Sequence, residues 1–208
     1  PVALIGHTGA GKTMLASLVP RFYDATEGRV TIDGTDVRDV KVSTLRRAIG
    51  IVAQDPFLFP ATVRENIAFG APGATDEDVV RAARLAQADE FIAELPDGYE
   101  TMVGERGITL SGGQRQRVAI ARALILDPRI LILDDATASV DATTEARIRL
   151  GLREAMKGRT TLIVAHRLST IALADELVVL DRGRIDARGT PAELLEGSPV
   201  FREIYEHG

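Results

Sequence analysis

The chain has 208 residues, of which 45% are hydrophobic, 26% are charged and none is cysteine. This length is enough for one large α/β domain, and the lack of cysteine excludes disulfides and thiolate metal sites. The net charge of −5 argues against a nucleic-acid partner, since nucleic-acid-binding proteins usually present a basic face, and no apolar run approaches the roughly 18 residues that span a bilayer.

The predicted elements at the start of the chain alternate between strands and helices. In chain order they are a strand at 2–5, a glycine-rich loop at 6–11, a helix from 12 to about 20, an extended segment at 29–32 closed by an Asp33-Gly34 turn, and a strand at 49–53. The apolar runs that form the two strands carry no regular polar alternation, as expected for strands buried on both faces.

The middle of the chain, from about residue 55 to 126, has the pattern of a helical insert. Thr75 with Asp78 three residues later fits a capping box, and the alanine-rich run that follows predicts a helix to about residue 88. Helical patterning resumes at 89–95 and at 114–126. We therefore expect one domain with a core of residues 1–54 and 127–208 and a helical subdomain of about 55–126.

The α/β alternation returns after residue 127. Apolar strands are predicted at 130–133 and 161–165, with a helix around 144–156 between them, and residues 177–180 and 184–187 predict a hairpin. Strands that alternate with helices, interrupted by one helical insert, predict an α/β fold with a parallel sheet. Because the sequence opens directly on an apolar strand, we also expect the chain to be part of a longer polypeptide.

The segment Gly6-His-Thr-Gly-Ala-Gly-Lys-Thr13 matches the P-loop pattern G-x-x-x-x-G-K-[ST]. Its glycines let the backbone curl so that successive N–H groups point at phosphates. We expect Lys12 to reach the β- and γ-phosphates and the Thr13 hydroxyl to bind Mg²⁺. The expected nucleotide contacts are Gly6, His7, Thr8, Gly9, Ala10, Gly11, Lys12, Thr13 and Met14. A P-loop alone leaves kinases, GTPases, helicases and transport ATPases open.

A second candidate anion site is the segment Leu110-Ser-Gly-Gly-Gln114, directly before a predicted helix at 115–126. A serine hydroxyl, exposed glycine N–H groups and a helix N-terminus together favour an anion. The residues expected to meet nucleotide here are Ser111, Gly112, Gly113 and Gln114. A capped helix start alone would need only the serine and perhaps one glycine.

With these two motifs the sequence resembles the ABC ATPase family over its whole length. The resemblance implies a P-loop NTPase (RecA-like) core with a helical signature subdomain, from which the usual N-terminal strands are missing. Residues 6–13 resemble Walker A, 110–114 the signature, 130–134 Walker B and 139–141 the D-loop. It further implies metal contacts from Thr13, Gln54 and Asp134, catalytic roles for Asp135, His166 and Gln54, and a nucleotide contact from Asp141.

The resemblance also implies cofactors and partners. ATP and Mg²⁺ would lie between Walker A of one domain and the signature of a second ABC ATPase domain. The segments 57–66, 104–107 and 166–170 resemble the exporter branch, which implies contact with the coupling helices of transmembrane domains. The expected location is the cytoplasmic face of the cell membrane, tethered by a transmembrane domain that lies outside this sequence. Among Phe57, Leu58 and Phe59, we expect at least one exposed side chain.

Two departures from the family pattern qualify these expectations. The aromatic residue that stacks on adenine precedes Walker A in the family, and that segment lies outside this sequence, so we expect weak adenine recognition. The family's catalytic glutamate is here Asp135, which resembles the degenerate site of heterodimeric exporters. The sequence thus allows a transport ATPase with a non-identical partner, a poorly hydrolysing regulatory module or, less in keeping with the exporter-type segments, a soluble ABC ATPase.

Overall fold

The computed structural model describes residues 1–104, 109–135 and 142–207 of the chain. Its strands are β1 (Val2–Ile5), β2 (Thr31–Ile32), β3 (Thr35–Asp36), β4 (Ile49–Val52), β5 (Ala61–Thr62), β6 (Met102–Val103), β7 (Ile130–Asp134), β8 (Thr160–Val164), β9 (Glu176–Asp181) and β10 (Arg184–Gly189). Its α-helices are α1 (Lys12–Leu18), α2 (Val42–Arg47), α3 (Val63–Ala68), α4 (Asp76–Leu85), α5 (Asp89–Ala93), α6 (Gly112–Leu124), α7 (Ala142–Met156), α8 (Leu168–Ile171), α9 (Pro191–Gly197) and α10 (Pro199–His207). Short 3₁₀ turns lie at Val37–Asp39 and Gly98–Glu100.

The main sheet within these residues has the strand order β10-β9-β1-β8-β7-β4. All neighbours pair in parallel except β10, which returns antiparallel to β9 as the predicted hairpin. Parallel neighbours need crossover connections, which the helices between the strands supply. This arrangement confirms the predicted α/β fold with a parallel-sheet core.

Both faces of the sheet are covered, because successive side chains of a strand point to opposite sides. On one face Ile5, Leu133 and Ile163 join a large core with α6, α7 and Phe201 of α10. On the other face Leu4 joins a smaller core with buried residues of α1 and α2. The continuous apolar runs seen in the sequence follow from this double burial.

The connection from β4 to β7 carries α3 to α6 and the small β5–β6 pair, although the two strands are neighbours in the sheet. The capping box of α4 is present, with Thr75 accepting from the Asp78 N–H and the Asp78 carboxylate accepting from the Thr75 N–H. The described helices include none that is both long and apolar enough to cross a bilayer.

Several predicted boundaries are wrong by a few residues. The helix predicted at 115–126 spans Gly112–Leu124, because Ser111 and Gln114 form a capping box that starts it early. The helix predicted to about residue 20 ends at Leu18, and the extended segment predicted at 29–32 pairs only at Thr31–Ile32. Helices α9 and α10 were not predicted, although Thr190, Pro191 and Glu193 carry a helix-start pattern.

The strand ends decide where the candidate site lies. β1, β4, β7 and β8 run parallel, so the residues that follow their last positions lie along one edge of the sheet. The loop from Gly6 follows β1, Gln54 lies just beyond β4, and Asp135 and His166 lie just beyond β7 and β8. Ligand crevices of open α/β sheets lie at this edge.

Candidate nucleotide-binding site

The loop after β1 is closed by its own lysine. The Nζ group of Lys12, whose residue is 4% exposed, donates to the carbonyl oxygens of Gly6 at 2.7 Å and His7 at 3.0 Å. Gly9 and Gly11 have φ of 82° and 101°, a left-handed backbone that favours glycine. The resulting loop holds a cation at its centre.

Gly6 sits tightly against the hairpin of β9 and β10. An ideal Cβ at Gly6 would lie 2.3 Å from the carbonyl oxygen of Leu180, so no larger residue fits without a shift of the backbone. The N–H of Gly183 donates to the carbonyl oxygen of Ala10 at 3.2 Å, which ties the hairpin turn to the same loop. The hairpin therefore acts as a backstop for the loop.

Asp134, at the carboxyl end of β7, lies within electrostatic reach of the loop. Burial raises the pKa of the Asp134 carboxyl above its ordinary value, while a hydrogen bond with the Thr13 side chain and the charges of His166 and Lys12 lower it. Burial likewise lowers the pKa of the Lys12 ammonium, although Asp134 and Asp135 both raise it. A hydroxyl and a partly desolvated carboxylate thus meet beside a buried cation, which is a donor set that suits Mg²⁺ with phosphate.

Asp135 is buried at 4% exposure and has a φ of 44°. Its N–H donates to the carbonyl oxygen of Val164 at 2.9 Å, which fixes the backbone between β7 and β8. Among the described residues its buried Oδ1 has no hydrogen-bond partner. A buried carboxylate oxygen without a partner is costly and is available to a water or a substrate.

The other predicted residues of this edge are solvent-facing. Gln54 and His166 are exposed just beyond β4 and β8, and His7, Thr8 and Met14 are exposed on the loop and α1. The structure therefore brings Lys12, Thr13, Asp134 and Asp135 together, with His166 near enough to affect the pKa of Asp134. Asp141 and the rest of the predicted D-loop lie outside the described residues, as do residues 105–107 of the predicted exporter-type segment.

The signature residues form the first turn of α6. The Ser111 hydroxyl accepts from the Gln114 N–H at 3.2 Å, and the Gln114 side chain accepts from the Ser111 N–H at 2.9 Å. Ser111 is exposed, whereas Gly113 is buried. Within the described part of the chain, no hydrogen bond joins this turn to the loop at residues 6–13, so the two candidate anion sites are separate within one chain.

Comparison with known proteins gives the same assignment. The family model described as ABC transporter matches residues 1–138. The chain belongs to the ABC transporter family. It is 54% identical over 205 residues to the Bacillus subtilis uncharacterized ABC transporter ATP-binding protein YknU, and 51% identical over 205 residues to an ATP-dependent lipid A-core flippase of Legionella pneumophila (strain Paris). Each alignment covers 99% of this chain and 35% of the relative.

A solved structure extends the likeness to three dimensions. A bacterial Atm1-family ABC exporter with ATP bound superposes with a TM-score of 0.92 at 48% identity, covering 99% of this chain and 36% of the exporter chain. This ABC domain therefore spans about a third of the length of the relatives that it matches. The comparison also confirms the P-loop NTPase type of the fold.

Two residues of this ABC domain were missed by the sequence analysis. Gln116 is a buried polar residue at 2% exposure on α6, and Arg122 on the same helix is also largely buried, so burial lowers the pKa of its guanidinium. A glutamine and an arginine on the inward face of a helix are unusual enough to attract attention. Their partners, however, lie more than fifty positions away in sequence.

Proposed function

We propose that this chain binds and hydrolyses ATP with Mg²⁺ and drives an exporter through nucleotide-dependent pairing with a second ABC ATPase domain. The observation that carries the proposal is the meeting of Lys12, Thr13 and Asp134 at the carboxyl edge of the sheet. Membership of the ABC family supports ATP as the nucleotide. Among the described residues no group of three or more acidic or histidine side chains could hold a metal alone, so phosphate oxygens would complete its ligands.

In this proposal each residue of the edge has a separate task. The backbone N–H groups of residues 6–13 and the Lys12 ammonium bind the β- and γ-phosphates. Thr13, Asp134 and Gln54 supply oxygen ligands for Mg²⁺, which when bound neutralises charge that develops on the phosphates. Catalysis then consists mainly of positioning and electrostatic stabilisation. Breathing of the site is limited because Gly6 is packed against Leu180.

Asp135 and His166 would serve the attacking water and the γ-phosphate. The unpartnered Oδ1 of Asp135 can accept a proton from water, and His166 can donate a hydrogen bond to a γ-phosphate oxygen. An aspartate reaches about one methylene less far than a glutamate, and a misplacement near 1 Å can cost about a hundredfold in rate. We therefore propose a slow site on this chain's own P-loop.

The signature would serve a nucleotide held by another domain. Ser111 and Gly113 start a helix that is not joined to the P-loop of the same chain, so Ser111, Gly112, Gly113 and Gln114 are free to meet a nucleotide across an interface. Asp141 is proposed to contribute to the same interface. A weak site combined with an intact signature favours a non-identical partner, whose P-loop would form the faster site. The alternative is a regulatory module that pairs but hydrolyses poorly, and Asp135 is the observation that favours it.

A membrane-domain helix is the proposed partner of a groove of about 390 Å³ between the segment after β4 and the start of α6. Phe57 on its rim is 64% exposed, as the sequence predicted for at least one aromatic of this segment, while Leu58 is buried. Phe57 also packs edge-on against Phe59 at 5.3 Å. In this proposal residues 55–126 act as the subdomain that receives the membrane domain, on the cytoplasmic side of the membrane.

The test is ATP hydrolysis by the purified protein with and without Mg²⁺. We expect Asp134→Asn to abolish turnover while a melting curve stays close to that of the wild type, because Asp134 is only partly buried. Wild-type protein that binds no ATP would overturn the proposal. Wild-type protein that binds ATP and pairs, but hydrolyses no faster than Asp134→Asn, would favour the regulatory alternative.

A further inference from the structure

Gln116 lies on α6, two positions after the signature, and points into the core. Its side chain is 2% exposed, and its Nε2 group donates to the carbonyl oxygen of Ala53 at 3.2 Å. Ala53 directly precedes Gln54. The bond therefore ties the signature helix to the segment that presents Gln54, and a buried amide at this place is costly unless such a bond is made.

A second bond from the same helix holds the other side of this segment. Nη1 of Arg122 donates to the carbonyl oxygen of Phe57 at 2.9 Å. The carbonyl oxygens of Ala53 and Phe57 thus bracket Gln54, and both accept from α6. Gln54 itself is exposed, and the turn that carries it is anchored on each flank by one helix.

The backbone of α6 also lies directly on β4. A Cβ at Gly50 would come within 2.9 Å of the carbonyl oxygen of Ala123. From Ala123 back to Gln116 the helix rises about 10.5 Å, and from Gly50 to Ala53 the strand advances about 10 Å. The two elements therefore run side by side in opposite directions, and the signature end of α6 lies at the strand end that carries Gln54.

We infer that Gln116 is a positioning residue that fixes Gln54 relative to the cluster of Lys12, Thr13 and Asp134, and makes Gln54 move together with the signature. The inference rests on the proposed function, because Gln54 has a metal to meet only if the chain binds ATP with Mg²⁺. Loss of the bond would leave the Ala53 carbonyl without its side-chain donor and the turn held only at Phe57. Gln54 would then spend less time at the position where its oxygen serves the metal.

The experiment compares ATP binding with Mg²⁺ and with EDTA by isothermal titration of the purified protein. In Gln116→Leu and Gln116→Asn, we expect the EDTA affinity to be unchanged and the gain from Mg²⁺ to fall about fivefold, the effect of losing one ordinary hydrogen bond. Asparagine is one methylene too short to reach Ala53 but keeps the polarity of the site. In a Gln54→Ala background, the Gln116 substitutions should cause no further loss, because they act through Gln54.

The neighbouring Arg117 supplies the matched control. It is buried on the same helix, donates from Nη1 to the carbonyl oxygen of Gln87 at 2.8 Å and lies over the Phe91 ring at 4.6 Å. Arg117→Leu should lower the melting temperature without changing the gain from Mg²⁺. A wild-type gain in both Gln116 variants, or a loss that adds to that of Gln54→Ala, would overturn the inference. Wild-type protein without any gain from Mg²⁺ would instead remove the proposed function beneath it.

Discussion

The ammonium group of Lys12 lies 2.7 Å from the carbonyl oxygen of Gly6, so the P-loop is closed by a bond between its first residue and its lysine. These two residues are six positions apart in sequence, and each is nearly inaccessible to solvent. A phosphate that enters the loop would replace the carbonyl as the partner of the ammonium. The cost of breaking two neutral bonds is offset by a charge-assisted pair, which is the stronger kind of hydrogen bond.

Lys12→Ala should therefore reduce ATP affinity by at least about tenfold, since hydrogen bonds to charged groups contribute about 1.5–3 kcal/mol, and should nearly abolish turnover. Isothermal titration and a phosphate-release assay measure the two effects. Lys157→Ala removes a lysine that pairs only with Glu154 on the surface and should leave both unchanged. Unchanged ATP affinity and turnover in Lys12→Ala would remove the P-loop assignment.

Gly6→Ala should destabilise the protein by about 1–3 kcal/mol, because the added methyl group overpacks the loop against Leu180. Thermal unfolding measures the loss, and ATP affinity should fall with it because the loop has to shift. Gly197→Ala, where a Cβ meets nothing within 4 Å, should be neutral or slightly stabilising. Equal melting temperatures for the two variants would show that the loop tolerates a side chain at residue 6.

Gly113→Asp should leave ATP binding to the single chain intact and block ATP-driven pairing. The new carboxylate would stand at the start of α6, where the proposal places a partner's phosphates, and like charges repel there. Sedimentation with ATP measures the pairing. Gly73→Asp adds the same charge in an exposed loop of the same insert and should pair normally, whereas normal pairing of Gly113→Asp would contradict the trans role of the signature.

Asp135→Glu should raise basal hydrolysis, by up to about a hundredfold if reach alone limits the rate. Asp135→Asn should change little, because a degenerate site has little activity to lose. Asparagine tolerates the positive φ of residue 135, so its folding should match that of the wild type. If Asp135→Asn removes a robust wild-type activity, then Asp135 is the working base and the proposal of a weak site fails.

The sequence by itself determined the features that depend on local spacing. Continuous apolar runs predicted β1, β4, β7 and β8, since strands buried on both faces cannot carry polar residues. The glycines and lysine of residues 6–13 predicted a phosphate loop, because few other backbones accept glycine at those positions. Thr75 and Asp78 predicted a helix start that the structure confirms.

The tertiary structure decided what depends on contacts between distant parts of the chain. The 2.3 Å approach of a Cβ at Gly6 to Leu180 and the bond from Gln116 to Ala53 arise only when the sheet order places these segments together. The early start of α6 depended on the reciprocal cap of Ser111 and Gln114, whose side chains satisfy backbone groups that the periodicity of apolar residues does not reveal. A residue pattern fixes which side of an element is apolar, but strand order and close packing fix which residues meet.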